Sequence, residues 1–207
     1  MPSSFAAFPG GRLAALAVTA GLVVALAACG NNDPSTRAAV DSSPPSATTS
    51  TAGEHIAADV TFAQMMIPHH QQAIQMAALA AARAADPQVK ALAEQIEAAQ
   101  DPEITTMKSW LSGWGEPTAA AGMNESMGHG MDGMMSDADM AKLTSLSGGA
   151  FEREFLIMMT AHHRGAIEMA KTERASGSYG PAKELATSII RTQAAEIEKM
   201  RTLLQQV

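Results

Sequence analysis

One sixteen-residue pattern occurs twice in the chain, and it restricts the fold more than any other feature. The first copy runs from Phe62 to Ala77 and the second from Phe155 to Ala170. Nine of the sixteen positions are identical at a constant offset of 93. The shared residues include Met65-Met66, His69-His70 and Met76 in one copy, and Met158-Met159, His162-His163 and Met169 in the other. Four of the six histidines of the chain lie in these two stretches.

The repeat continues at the same offset. Leu92 matches Leu185, Ile96 matches Ile189, Gln100 matches Gln193, Glu103-Ile104 matches Glu196-Ile197, and Met107 matches Met200. Within each copy the apolar residues recur at spacings of three and four, the period of a helix with one buried face. The repeating unit is therefore a helical hairpin. A lone hairpin leaves apolar surface uncovered, so two are expected to pack as an all-α four-helix bundle, with one long central connection. The halves are residues 55–112 and 150–207, joined by 113–149. Composition agrees: 15 methionines, many alanines and few aromatics favour helix.

Residues 1–28 carry one basic residue, Arg12, and an apolar run ending at Leu26-Ala27-Ala28-Cys29. A short apolar run with small residues before a cleavage point reads as a secretory signal and not as a spanning helix. Leu-Ala-Ala-Cys resembles a bacterial lipobox, which makes Cys29, the only cysteine, the expected lipidation site and new N-terminus. Residues 29–54, rich in Ser, Thr and Pro, read as a disordered tether between lipid and a domain at 55–207. The expected location is the outer face of a bacterial cell membrane, with no disulfide. Without Arg12 the chain has 13 basic and 21 acidic residues, a net charge of −8, which disfavours nucleic-acid binding.

The pattern predicts helices over about 56–85, 87–111, 150–176 and 181–206, with Asp86-Pro87 starting the second. Pro68 should kink the first just before its histidines. A short helix from Ser136-Asp137 through Leu146 should be closed by Gly148-Gly149.

Residues three or four apart share a helix face. Met66 stands one turn before His70 and Met65 one turn before His69, with Met76 two turns beyond His69. Met159, Met158 and Met169 repeat this around His163 and His162. Thioether sulfur suits Cu(I), and imidazole suits copper, zinc or iron. Methionine at this spacing is commonly core filler. Four buried imidazoles with no task would, however, leave several polar groups unsatisfied. Leu92, Ile96, Gln100, Glu103 and Met107 form one stripe, repeated by Leu185, Ile189, Gln193, Glu196 and Met200. If those stripes face the core, Glu103 and Glu196 are ligands or acceptors for imidazole N–H; if they rotate, both face water. In the connection, Met123, Met127, His129, Met131, Met134 and Met135 lie among glycines, and Met127, His129 and Met131 form a second, flexible soft-metal candidate.

The paired Met-x-x-His-His-x-x-Ala-Ile-x-Met-Ala cassettes resemble a ferritin-like family of extracytoplasmic proteins carried as a domain of unknown function. The resemblance covers residues 55–207. It implies copper binding and copper tolerance, with Met66, His69, His70, Met76, Met159, His162, His163 and Met169 as metal positions, and a non-enzymatic role. The expected function is copper buffering, tolerance or delivery, with Cu(I) favoured over zinc or iron. A copper transporter in the membrane, or a second copy of the chain, is a candidate partner. Two alternatives stand beside it. One is a di-iron oxidase, against which the chain has no Glu-x-x-His pair and too few inner carboxylates. The other is a metal-free interaction module whose His and Met faces only pack.

Overall fold

The computed structural model describes residues 54–119 and 132–207. The signal segment, Cys29, most of the tether, and Met127, His129 and Met131 lie outside the described residues. Five helices occur among the described residues: α1 (Ala57–Arg83), α2 (Pro87–Trp114), α3 (Asp137–Ser145), α4 (Gly148–Ser176) and α5 (Gly180–Leu203). There is no strand among them. None of these helices is long and apolar enough to cross a membrane.

Local chemistry sets the helix ends. Asp86 caps α2 by accepting from the Gln88 amide, with Pro87 in the first turn. Ser136 and Asp139 cap α3 reciprocally. Gly148 does not close α3, which ends at Ser145 with Leu146 as its C-cap. It opens α4 with φ +58, a left-handed turn that lets the chain reverse. α1 runs unbroken through Pro68 and α2 through Pro102. Each proline lacks the amide that would bond one turn back. Their counterparts at the repeat offset are Ala161 and Ala195. Only the first hairpin therefore carries prolines in its helix interiors, one just before His69 and one just before Glu103.

α1 packs along α2 and α4 along α5, forming the two hairpins, and α1 and α4 make the main contact between them. The core divides into two clusters. One joins Ala73, Met76 and Ala80 of α1 to Phe151, Phe155 and Met159 of α4, with Ile96 and Met200. The other joins Phe62 and Met66 of α1 to Ala166 and Ala170 of α4, with Met107 and Ile189. Adding 93 to a residue of one cluster gives a residue of the other: Phe62 becomes Phe155, Met66 becomes Met159, Met107 becomes Met200. The duplicated hairpins are thus related by a pseudo-twofold axis, and α1 and α4 run antiparallel.

The same symmetry fastens the ends. Glu152 at the start of α4 accepts from the amides of Ala85 and Asp86 in the α1–α2 turn, at 2.6 and 2.7 Å. Asp59 at the start of α1 accepts from the amides of Ser178 and Tyr179 in the α4–α5 turn, at 3.0 and 2.9 Å. All four turn amides are otherwise orphan donors before a helix. Each hairpin's turn is therefore held by a buried carboxylate from the other hairpin, which couples the folding of the two halves.

Candidate metal centre

Between the two apolar clusters lies a polar layer. His69, His70, His162 and His163 are all fully buried, and Gln100 and Gln193 are nearly so. His70 Nε2 donates to Glu103 Oε2 at 2.6 Å, and His163 Nε2 donates to Glu196 Oε2 at 2.7 Å. Glu103 and Glu196 keep only 16% and 18% of their side-chain surface in water. The stripes of α2 and α5 thus face inward, at the height of the histidines. The two pair distances are nearly equal although a proline precedes only the first pair in its helix.

The carboxylates settle the imidazole tautomers. A carboxylate at Nε2 places the proton there and leaves Nδ1 as a bare acceptor. Nδ1 of His70 and of His163 indeed has no hydrogen-bond partner, nor has either ring nitrogen of His69 or His162. His69 and His162 meet across the pseudo-twofold axis, with ring centroids 3.7 Å apart and planes tilted by 40°. Burial first, then the neighbouring His70, holds the His69 pKa down at about 3. Burial and His69 hold His162 well below the ordinary value. The Asp132 carbonyl beside the His69 ring offsets this only slightly, without reaching hydrogen-bond geometry. Both rings are therefore neutral, lone-pair-bearing imidazoles in a dry interior.

The methionines divide. Met66 and Met159 are fully buried, one turn before His70 and His163, on opposite sides of the layer. Met76 is fully buried in the cluster around Phe151 and Phe155. Its counterpart Met169 is half-buried and lines an open cavity at the other end of α1, together with Met65. Among the described residues, no three His, Asp or Glu side chains converge closely enough to surround one ion.

Sequence reading passed over the lid of the layer. Gln72 grips the backbone of Met135 with both amide atoms, donating to its carbonyl and accepting from its amide, each at 2.8 Å. At the equivalent position of the second copy stands Gly165. A methyl group there would lie 1.9 Å from the Asp132 carbonyl oxygen. Gly133, at φ +85, in turn lies against the carbonyls of Ala161 and His162. The incoming side of the connection is tied as well, by Gln64 donating to the Pro117 carbonyl at 2.8 Å. The mismatch of Gln72 with Gly165 inside an otherwise matched cassette was the available signal. The paired Gln100 and Gln193, one turn from Glu103 and Glu196, were legible as stripe residues but not as members of the layer.

Residues 59–204 match the family described as Domain of unknown function (DUF305). The chain belongs to the DUF305 family. Among solved structures, a DUF305 protein of Streptomyces coelicolor described as secreted is 38% identical, with TM-score 0.67, covering 72% of this chain and 93% of that one. A DUF305 fragment from Deinococcus radiodurans is 31% identical, with TM-score 0.65, covering 74% and 99%. CopM in its Cu(I)-bound form is 35% identical, with TM-score 0.59, covering 72% and 96%. CopM has also been solved in Cu(II)-bound and silver-bound forms. Comparison with curated proteins finds no match.

Proposed function

We propose that this DUF305 protein is an extracytoplasmic copper-binding protein, and that its buried histidine layer is the metal centre. One observation carries the reading: six imidazole nitrogens in a fully buried layer have no hydrogen-bond partner. An unmet buried polar atom costs about 1–3 kcal/mol, so such a layer is a liability unless something fills it. Neutral imidazoles with bare lone pairs are the form a metal needs, since bound ligands must be deprotonated. His69 and His162, in contact across the axis, would hold a low-coordinate ion, with His70 and His163 beside them. Met66 and Met159 would add thioether from either side, and Glu103 and Glu196 would orient His70 and His163 from behind. Too few hard donors converge for a six-oxygen cation. Cu(I) accepts soft donors in low coordination number, which this set fits. The similar protein CopM, solved with Cu(I), Cu(II) and silver, supports the choice of copper.

The finer reading joins this centre to the sequence. A ferritin-like four-helix bundle, lipidated at Cys29 and tethered by residues 29–54, would hold copper near the membrane for buffering or for delivery to a transporter. Binding is favoured over catalysis because Glu103 and Glu196 are committed to imidazole and leave no free carboxylate for oxygen chemistry.

The test is anaerobic Cu(I) titration against a competing chelator, comparing the native chain with the double variant His69→Ala/His162→Ala. The variant should bind at least tenfold more weakly while keeping its helical circular dichroism. Equal affinity in the two proteins would sink the proposal.

A further inference from the structure

The duplication supplies an internal control for a second site. At one end of the bundle, the space beside Met158 and Met76 is filled: Phe151 stacks on Phe155 with centroids 5.7 Å apart, and Leu79 packs over them. At the symmetry-related end, Ala58 stands where Phe151 would be and Thr172 where Leu79 would be. The result is a cavity of about 390 Å³, lined by Ala58, Phe62, Met65, Met169, Thr172 and Glu173. Met65 and Met169, whose counterparts Met158 and Met76 are sealed in core, are here half-buried along an open groove.

Glu173 is the second departure. Its counterpart is Ala80, yet here a carboxyl stands, 2% exposed, with neither oxygen receiving a hydrogen bond. Gly177 replaces the counterpart Ala84 and makes room for it, since a methyl group there would lie 2.1 Å from Glu173 Oε1. Two thioethers and one carboxyl that receives no N–H therefore border a space opened by Ala58 and Thr172. The cavity is reachable from solvent, whereas the histidine layer is not.

We propose that this groove is a separate binding site for a soft monovalent cation, Cu(I) or its analogue Ag(I), with Met65 and Met169 as the donors and Glu173 releasing its proton to balance the charge of the bound ion. The site rests on the metal-binding reading of the protein, but it is distinct from the histidine layer. Two thioethers bind Cu(I) and Ag(I) in preference to hard divalent ions, and unbranched methionine side chains are mobile enough to converge on an ion.

The experiment is silver titration of the full chain with methyl-labelled methionine, following methionine methyl and histidine imidazole resonances together. The Met65 and Met169 methyls should shift in concert as one equivalent binds, separately from the imidazole shifts. Ala58→Phe restores the residue found in the other copy and fills the groove; it should abolish the methyl shifts and leave the imidazole shifts. Should that variant fold poorly, Met65→Leu/Met169→Leu should lower the silver stoichiometry by one. If only the imidazoles move, the groove site is overturned and the histidine centre stands. If neither set moves, both are overturned. Methyl shifts that persist in Ala58→Phe would show that the cavity is not the site.

Discussion

The pair formed by Glu173 and Asp59 makes a quantitative prediction about stability. Asp59 accepts three backbone amides, from Ile56, Ser178 and Tyr179, and stays ionised, its pKa lowered by these bonds against the opposing effect of burial. Glu173 beside it is held up at about 8 from an ordinary 4.5, first by burial and then by its bond to Asp59 and by that group's charge. The native chain therefore keeps a proton on Glu173 that the unfolded chain releases above pH 4.5. Stability must fall as pH rises through this window, by about 1.4 kcal/mol per pH unit, and level off above pH 8. His69 and His162 act in the opposite sense. They are neutral when folded and protonated when unfolded below about 6.5, so each loses stability as pH falls below that value. The metal-free protein should be most stable near pH 6–7. Glu173→Gln keeps the shape and the donor toward Asp59 but has no proton to lose. Its gain over the native chain should be on the order of 3 kcal/mol at pH 7.5 and under about 1 kcal/mol at pH 5. Urea unfolding midpoints of both proteins at the two pH values measure this. An equal gain at both, or a loss at pH 7.5, would refute the assignment of the proton to Glu173.

Three further outcomes follow from the geometry. Gly165→Ala puts a methyl 1.9 Å from the Asp132 carbonyl and should cost about 1–3 kcal/mol by overpacking, read as a lower urea midpoint; an unchanged midpoint would show that the connection does not seat there. Glu152→Ala strands the Ala85 and Asp86 amides and should cost about 2–4 kcal/mol in the same assay, with Asp59→Ala similar because it holds the equivalent turn. Saturating Cu(I) at 100 times its dissociation constant should stabilise the native chain by about 2.7 kcal/mol, seen as a raised thermal midpoint. His69→Ala/His162→Ala should lose that rise.

Much of the centre was legible because it is set within a hairpin. His70 and Glu103 are 33 residues apart, as are His163 and Glu196. Helix period and turn length bring both pairs to one height without any reference to the other half. The duplication likewise announced two equivalent hairpins and an all-helical chain. Pro68 was legible as an interior residue of the first helix, and α1 does run through it. Contacts between hairpins left weaker traces. Ala58, Thr172 and Glu173 look ordinary on their own helices, and only superposing the two ends shows that the first two open a cavity that the third borders.

The sequence by itself determined the repeating unit, its helical period, and the presence of one glutamate per hairpin on a stripe able to reach its histidines. The tertiary structure alone decided that His69 and His162 face each other across the pseudo-twofold axis, that Met76 and Met169 part company, and that Gly165 lies beneath Asp132. The physical reason is the range of the forces involved. Periodicity records what neighbours one turn apart require of each other. Side-chain volume across an interface depends on the crossing of α1 and α4, which no local pattern encodes.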